Sequence, residues 1–334
     1  RLPPDSRPVR LPPMPRPTRP RIALVTPYGA RANNGNWHTA ARWARWLAPV
    51  AQVQLATRWD GAAADALIAL HARRSAASIA AFAAAHSQQP LIVVLTGTDV
   101  YRDIEHDPAA QRSLQQATTL VALNALAPQR LPPPLRAKAV VIPQSARALA
   151  PGRKAQRYFD VAIVGHLRPE KNPQLVWRVA AQLPADTHIR LWHAGAALDA
   201  ALGRQARAAA RAQPHYRWLG NLPRAQARQL MRRCHLLLHP SHMEGGAQAV
   251  IEAVTAHTPV LASRIDGNVG LLGAGYGGYF APDDADQATA LLLAAAHAPR
   301  LLARLARQCR QAAREFSPAR EAARVRALLA PLRR

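Results

Sequence analysis

The sequence predicts an α/β protein built as two successive Rossmann-like domains, each a parallel sheet with helices on both faces. Three observations predict it. Short apolar runs alternate with longer helix-forming stretches through most of the chain. The alternation breaks once, at a stretch rich in Pro, Gly, Arg and Gln, and then restarts. A length of 334 residues suffices for two ordinary hydrophobic cores.

The elements follow in order. Residues 22–27 (IALVTP) are a short apolar run, read as a buried parallel strand. A polar loop, 28–36, leads into a helix with apolar positions Ala40, Ala41, Ala44, Leu47 and Ala48. Strands are expected at 50–55 and 66–70, a helix at 75–85, and a strand at 91–95 (LIVVL) that ends in the turn Thr96-Gly97-Thr98-Asp99. Strands at 119–123 and 140–142 close the first half. The break in composition spans 143–157. In the second half, strands are expected at 161–164, 189–193, 216–219, 236–239 and 259–262, with helices at 173–182, 198–212, 224–233 and 246–256. After Asp284 the chain reads as almost wholly helical. The implied organisation is a disordered Pro/Arg tail (1–20), an N-terminal domain (21–145), a linker (146–158), a C-terminal domain (159–316) and a final helix (317–334) able to pack back on the N-terminal domain. Open α/β sheets bind ligands beyond the carboxyl ends of their strands. Two such sheets facing each other make an interdomain cleft.

Composition narrows the class. No apolar run approaches the length of a membrane span, and the first twenty residues lack the apolar core of a signal peptide, so a cytoplasmic protein is expected. The chain does not begin with Met, as a processed or trimmed form would not. The two cysteines, Cys234 and Cys309, have no zinc or redox spacing and read as small buried hydrophobes. The net charge of +25 favours anionic partners. The Arg residues are spread through helices rather than gathered in one stripe, and no zinc-finger or RNA-binding signature is present, so no specific nucleic-acid partner is expected. A basic nucleic-acid-binding protein is the rival from another class. A phosphate-bearing substrate accounts for the charge equally well.

The sharpest chemistry lies in the second half. The stretch from Ser241 to Glu252 (SHMEGGAQAVIE) follows the strand HLLLH and opens a helix. Gly245 and Gly246 at the turn let backbone N–H groups approach a ligand closely, and a helix N-terminus favours an anion. Ala247, Val250, Ile251 and Val254 fall on one core-facing stripe, while Gln248 and Glu252, four apart, lie off it. Glu252 is therefore expected to point away from the core and Glu244 to sit in the preceding loop; read blandly, they are a helix-terminal charge and a surface acid. Off the first strand of this half comes Val164-Gly165-His166-Leu167-Arg168-Pro169-Glu170-Lys171. After the strand PVLA comes Ser263-Arg264-Ile265-Asp266-Gly267-Asn268-Val269-Gly270, read as a loop whose glycines permit unusual backbone angles.

The first half offers three loops at its own strand ends. In Asn33-Asn34-Gly35-Asn36-Trp37-His38-Thr39, Gly35 allows a tight turn and Asn36 or Thr39 caps the helix. The other two are Leu70-His71-Ala72-Arg73-Arg74-Ser75 and Leu95-Thr96-Gly97-Thr98-Asp99-Val100-Tyr101-Arg102-Asp103. His71, Arg73, Arg74 and Arg102 place positive charge on this side; Arg74 and Arg102 also have nearby acids such as Asp103 to pair with. A phosphate-like reactant calls for such charge and a neutral sugar does not.

Glu244 and Glu252, with seven residues between them, resemble the paired glutamates of the family 4 glycosyltransferases of GT-B architecture. The resemblance implies that Glu244 contacts the donor sugar, that Glu252 binds the nucleotide ribose, and that Gly245 and Gly246 face the sugar and phosphates. That family carries Gly-Arg-Leu followed by a Lys five residues after the Arg. Here Lys171 matches, while His166 stands in place of the Arg and Arg168 is the alternative source of charge. Such cations hold the donor diphosphate, where a leaving UDP gathers negative charge. Lys171, Arg168 and Glu244 are therefore the expected catalytic residues. Gly165, His166, Gly267 and Asn268 join the donor site. Gly35, Asn36, His38, His71, Arg73, Thr98, Asp99 and Arg102 form the acceptor side. The phrases GNWHTAARWARWL, ALHARRS, LTGTDVYRD, GHLRPEK, EGGAQAVIEA and ASRIDGNVGLLG together resemble the SenB family of selenosugar synthases, of selenoneine biosynthesis, over about residues 21–280. That resemblance implies transfer of a sugar from a UDP-sugar, typically UDP-N-acetylglucosamine, to selenophosphate, with release of UDP and phosphate. The ordinary UDP-sugar transferase with a sugar or lipid acceptor is the nearest alternative. Selenium in selenophosphate already carries charge, so orientation and cations matter more than a base for its attack. His38, His71 and Asp99 remain as acid/base groups, each with a bland role as a polar loop residue. No metal-ligand cluster stands out, so metal-independent chemistry without a cofactor is expected.

Overall fold

The computed structural model describes residues 19–32 and 34–333. The sequence-derived tail, 1–20, falls outside the described residues except for its last two, and so does Asn33. Two six-stranded, all-parallel sheets form the framework. The first contains β1 (Arg21–Val25), β2 (Gln52–Ala56), β3 (Ala66–Leu70), β4 (Leu91–Val94), β5 (Thr119–Ala122) and β6 (Ala139–Val141), in the order β2-β1-β3-β4-β5-β6. The second contains β7 (Phe159–Val164), β8 (Ile189–Ala194), β9 (Tyr216–Gly220), β10 (Leu236–His239), β11 (Val260–Ser263) and β12 (Tyr279–Phe280), in the order β12-β11-β10-β7-β8-β9.

Near-continuous apolar strands such as β3 and β4, buried at every residue, are what sheets covered on both faces require. One face of the first sheet packs Phe82, Ile79 and Leu114; the other packs Trp43, Leu47 and Ile142. The second sheet has its own core around Tyr216, Met231 and Phe280. Cys234 and Cys309 are free and buried in that core, and burial pushes both thiols up, to about 12 and about 11.

The sheet order locates the site. Strand progression reverses between β1 and β3 in the first sheet and between β7 and β10 in the second. Such reversals open crevices at the strands' carboxyl ends, because the flanking loops leave toward opposite faces. The loop after β1, His71 after β3, Gly165 after β7 and the loop after β10 thus converge.

Several elements differ from the sequence reading. The 266–270 segment is helical, within Asp266–Leu272, because Asp266 starts a turn whose Leu271 buries against the core. A π-helical turn, Asp99–Asp103, continues the chain beyond the turn expected at Thr96–Asp99. Strand β12 is two residues long, too short for periodicity to show. Asn34, not Asn36 or Thr39, caps the first helix (Gly35–Leu47): its Oδ1 accepts from Trp37 N at 3.1 Å, while the Thr39 hydroxyl donates to Gly35 O. Residues 146–158, the expected linker, carry no helix or strand but are held against the C-terminal domain. Leu149 N donates to Thr255 O, and Lys154 Nζ binds Arg232 O and Cys234 O. The helix Pro318–Ala327 lies against the helix Gly35–Leu47, where Glu321 accepts from Arg42 and from Trp43 Nε1, and Val325 joins the Trp43 core.

Candidate active site

A cavity of about 580 Å³ lies between the two domains. Gly165, His166, Arg168, Lys171, Glu244, Gly245, Gly246 and Glu252 line it from the C-terminal side. Gly35, Asn36, His38, His71, Thr98 and Arg102 line it from the N-terminal side. The two glutamates singled out in the sequence thus share one cleft.

Glu244 sits just past β10, 7% exposed. Burial alone would push its carboxyl up, but the Lys171 ammonium and the His239 imidazole outweigh that and hold it well below the usual carboxylate range. Lys171 Nζ contacts Glu244 Oε1 directly, and His239 Nε2 lies 3.0 Å from the same oxygen. Lys171 reaches this position because the 3-10 turn Pro169–Lys171 ends at Asn172, held in the left-handed region (φ 47°) with its amide on Asp283 at 3.0 Å. The Lys171 stem folds over Gly165, where an added Cβ would lie 3.6 Å away. His166 and Arg168 both face the cleft; His166 Nδ1 accepts from Ala196 N at 3.0 Å, and Arg168 Nε lies 3.9 Å from Glu170 Oε2.

Glu252, expected to point away from the core, is 4% exposed, which rules out the bland reading of a surface acid. It leaves the core stripe toward the cleft, where Arg224 Nε meets its Oε1 at 2.6 Å and Gln248 Nε2 at 3.4 Å. A helical wheel separates core from non-core positions; it carries no information about a partner helix such as Arg224–Arg233.

On the opposite wall, His71 Nδ1 lies 2.6 Å from Asp99 Oδ1, both groups buried, and His71 Nε2 lies 3.1 Å from Thr98 Oγ1. Burial pushes the His38 pKa down, and the positive charges of Arg224 and Arg42 add to the shift. The domains touch at the cleft floor: an added Cβ on Gly97 would lie 2.6 Å from Gly245 N. Asn124 Nδ2 donates to Gly245 O at 2.8 Å, and Arg102 Nη1 meets Glu170 Oε1 at 3.2 Å.

Four expected site residues stand elsewhere. Arg73 turns away from the cavity to Asp107 (2.9 Å) and Asp103 (3.6 Å), and its neighbour Arg74 takes the place at the wall. Asp99 lies behind His71 and does not line the cavity. Asn268 is fully buried and donates to Ser263 O at 2.9 Å. Gly267 borders a second, smaller hollow with Arg130 and Arg264; its lack of a side chain admits the Glu244 backbone, since a Cβ there would lie 2.8 Å from the Glu244 carbonyl carbon. Sequence reasoning missed His239 and Arg224. The first was legible as a polar residue closing an apolar strand; the second is one of 44 Lys and Arg without local distinction.

His71, Asp99 and Asp103 offer ligand atoms within 4.8 Å of one another, the grouping among the described residues able to hold a metal ion. Protein donors already meet these acids: Thr96 and Arg73 N on Asp99, Arg73 and Arg102 on Asp103.

The sequence model of the family described as glycosyl transferases group 1 matches residues 147–316, just over half of the chain. The chain belongs to the group 1 glycosyl transferases. The matched span of this glycosyltransferase holds Lys171, His239, Glu244 and Glu252. Among solved structures, it is similar to Anabaena Alr3699/HepE in complex with UDP-glucose, with a TM-score of 0.73 at 14% identity over 93% of this chain and 100% of that one. It is also similar to sucrose-phosphate synthase (tll1590) from Thermosynechococcus elongatus, with a TM-score of 0.74 at 14% identity over 94% and 99% of the two chains. TarM matches with a TM-score of 0.65 at 13% identity over 79% of this glycosyltransferase, which spans about half (54%) of TarM. These likenesses establish a GT-B fold. No curated protein sequence matches the chain significantly. Among the described residues, no helix is long and apolar enough to cross a membrane.

Proposed function

We propose that this glycosyltransferase moves a sugar, N-acetylglucosamine by preference, from its UDP conjugate to selenophosphate, forming a carbon–selenium bond. The observation that carries the reading is the polarity of one cleft: a Lys171–Glu244–His239 cluster and Glu252 on one wall, and His71, Arg74 and Arg102 on the other. In this reading Glu252 grips the ribose hydroxyls and Glu244 the sugar. Lys171, with Arg168 or His166, takes up the charge that collects on the β-phosphate as the C1–O bond breaks. HepE, which shares the fold, binds UDP and UDP-glucose, in keeping with a UDP-sugar donor. Arg74 and Arg102 on the acceptor wall suit an anionic reactant better than a neutral sugar, and the resemblance of the quoted phrases to the SenB family of selenosugar synthases is what suggests selenophosphate. In this reading side chains take up the diphosphate charge and the reaction needs no metal.

A second reading, transfer to an ordinary hydroxyl acceptor, draws support from Asp103 and Glu170, which neutralise Arg102. Incubation with UDP-N-acetylglucosamine separates the two. UDP release that depends on selenophosphate is the expected result; release at the same rate without it sinks the selenosugar reading.

A further inference from the structure

His71 is the first residue after β3, at the point where the first sheet reverses its strand progression. Its backbone is left-handed, φ 75°, which is costly for a residue with a side chain and persists where surrounding contacts impose it. Its N–H donates to Val94 O at 2.9 Å, and its carbonyl accepts from Ser75 N at 3.0 Å. Behind it, Asp99 is fully buried and is surrounded by donors. Oδ2 accepts from Thr96 N at 2.9 Å and from Thr96 Oγ1 at 3.1 Å. Oδ1 accepts from Arg73 N at 3.3 Å and meets His71 Nδ1 at 2.6 Å. A carboxylate so used offers only lone pairs, so the hydrogen between it and His71 belongs to Nδ1; the longer Arg74 N contact to Nδ1, 3.4 Å, is secondary. The tautomer is thereby set. Nε2 is the basic nitrogen, 3.1 Å from the Thr98 hydroxyl at the cleft wall.

The cleft thus holds a built proton acceptor on the wall opposite Lys171 and Glu244. Anionic selenium does not need one to attack the sugar. The step that does is the splitting of selenium from phosphorus, where water must lose a proton as it attacks. We infer that the His71–Asp99 dyad serves this second step: Nε2 removes the proton from a water that attacks phosphorus. A phosphorus–oxygen bond forms, the phosphorus–selenium bond breaks, and its electron pair leaves on selenium as the glycosyl selenolate, with phosphate as the other product. His71 is then a catalytic residue and Asp99 a positioning residue. Arg74, whose guanidinium lies 5.1 Å from the Tyr28 ring centroid, and Arg102 line the same cavity as cations for the phosphoryl oxygens. The inference rests on the selenophosphate reading and extends it.

The test is a single-turnover reaction with UDP-N-acetylglucosamine and selenophosphate, in which UDP and phosphate are measured separately and phosphorus NMR follows the glycosyl selenophosphate. In the wild-type enzyme both products appear. His71→Gln is expected to give a UDP burst, a phosphate release slowed about 10²–10⁴-fold, and accumulation of the intermediate. Asp99→Asn, which presents the wrong tautomer, shows the same split to a smaller degree. His71→Gly suits the left-handed backbone and removes the base, and added imidazole is expected to restore phosphate release. Calorimetric UDP binding reports that each variant is folded. Phosphate released in step with UDP by His71→Gln and His71→Gly overturns the inference while leaving the parent reading intact. Wild-type UDP release that ignores selenophosphate overturns the parent reading, and this one with it.

Discussion

Arg224 Nε lies 2.6 Å from Glu252 Oε1, and this contact orients the acid toward the cleft. Glu252→Ala is expected to weaken UDP binding by about 10–100-fold, because hydrogen bonds to a charged group are worth ~1.5–3 kcal/mol. Calorimetry with UDP and 2′-deoxy-UDP checks the assignment. The two ligands should differ with the wild type and converge in the variant. Undiminished UDP affinity would remove Glu252 from the ribose.

Lys171 touches Glu244, which His239 also holds at 3.0 Å. Lys171→Ala should lower the rate of sugar transfer by about 10²–10³-fold and UDP affinity by far less, since the cation matters most where charge develops. Stopped-flow UDP release set beside equilibrium binding distinguishes the two effects. A loss confined to affinity would make Lys171 a ground-state ligand only.

Gly267 packs against the Glu244 backbone, with a hypothetical Cβ 2.8 Å from the carbonyl carbon. Gly267→Ala is therefore expected to destabilise the protein by about 1–3 kcal/mol and to displace Glu244. Thermal unfolding should show a lower midpoint, and turnover should fall with it. A variant with unchanged midpoint and turnover would show that the contact between the helix Asp266–Leu272 and the Glu244 backbone yields freely.

His193 is buried beneath Gly165, its Nδ1 2.9 Å from Tyr216 Oη and its Nε2 3.2 Å from Gly165 O. Burial pushes its pKa down from 6.5 to about 4, against a smaller opposing effect of the Gly165 carbonyl. Above pH 6.5 the ring is neutral in both states and this contribution to stability is complete. As pH falls toward 4, the unfolded chain takes up the proton first and the folded state loses ~3 kcal/mol. Urea unfolding across that range should show the loss, and His193→Asn should flatten the slope. Equal slopes in the two proteins would assign the acid sensitivity to other groups.

Much of this was legible in the chain itself. Strands β3, β4, β7 and β10 declare themselves as apolar runs, because a strand buried on both faces tolerates little else. Gly165, Lys171 and Glu244 were legible because each lies in the segment that directly follows an apolar strand, and Glu252 because it stands at a fixed spacing from Glu244 on the helix after that segment. Segment 266–270 was read as a loop from its glycines. Its helix depends on Leu271 finding the second core, a contact made across the fold.

The sequence alone determined that there are two parallel-sheet domains, about where every strand but β12 runs, and which acids and cations the segments after those strands carry, since these follow from period and short-range spacing. Only the tertiary structure decided partners: that Glu252 meets Arg224 of a neighbouring helix, that Arg73 turns to Asp107 while Arg74 takes the wall, and that His71 is backed by Asp99. Those pairings join residues 28, 34 and 28 positions apart. Side-chain contacts at such separations are set by how helices and loops pack on the sheets, which no local pattern encodes.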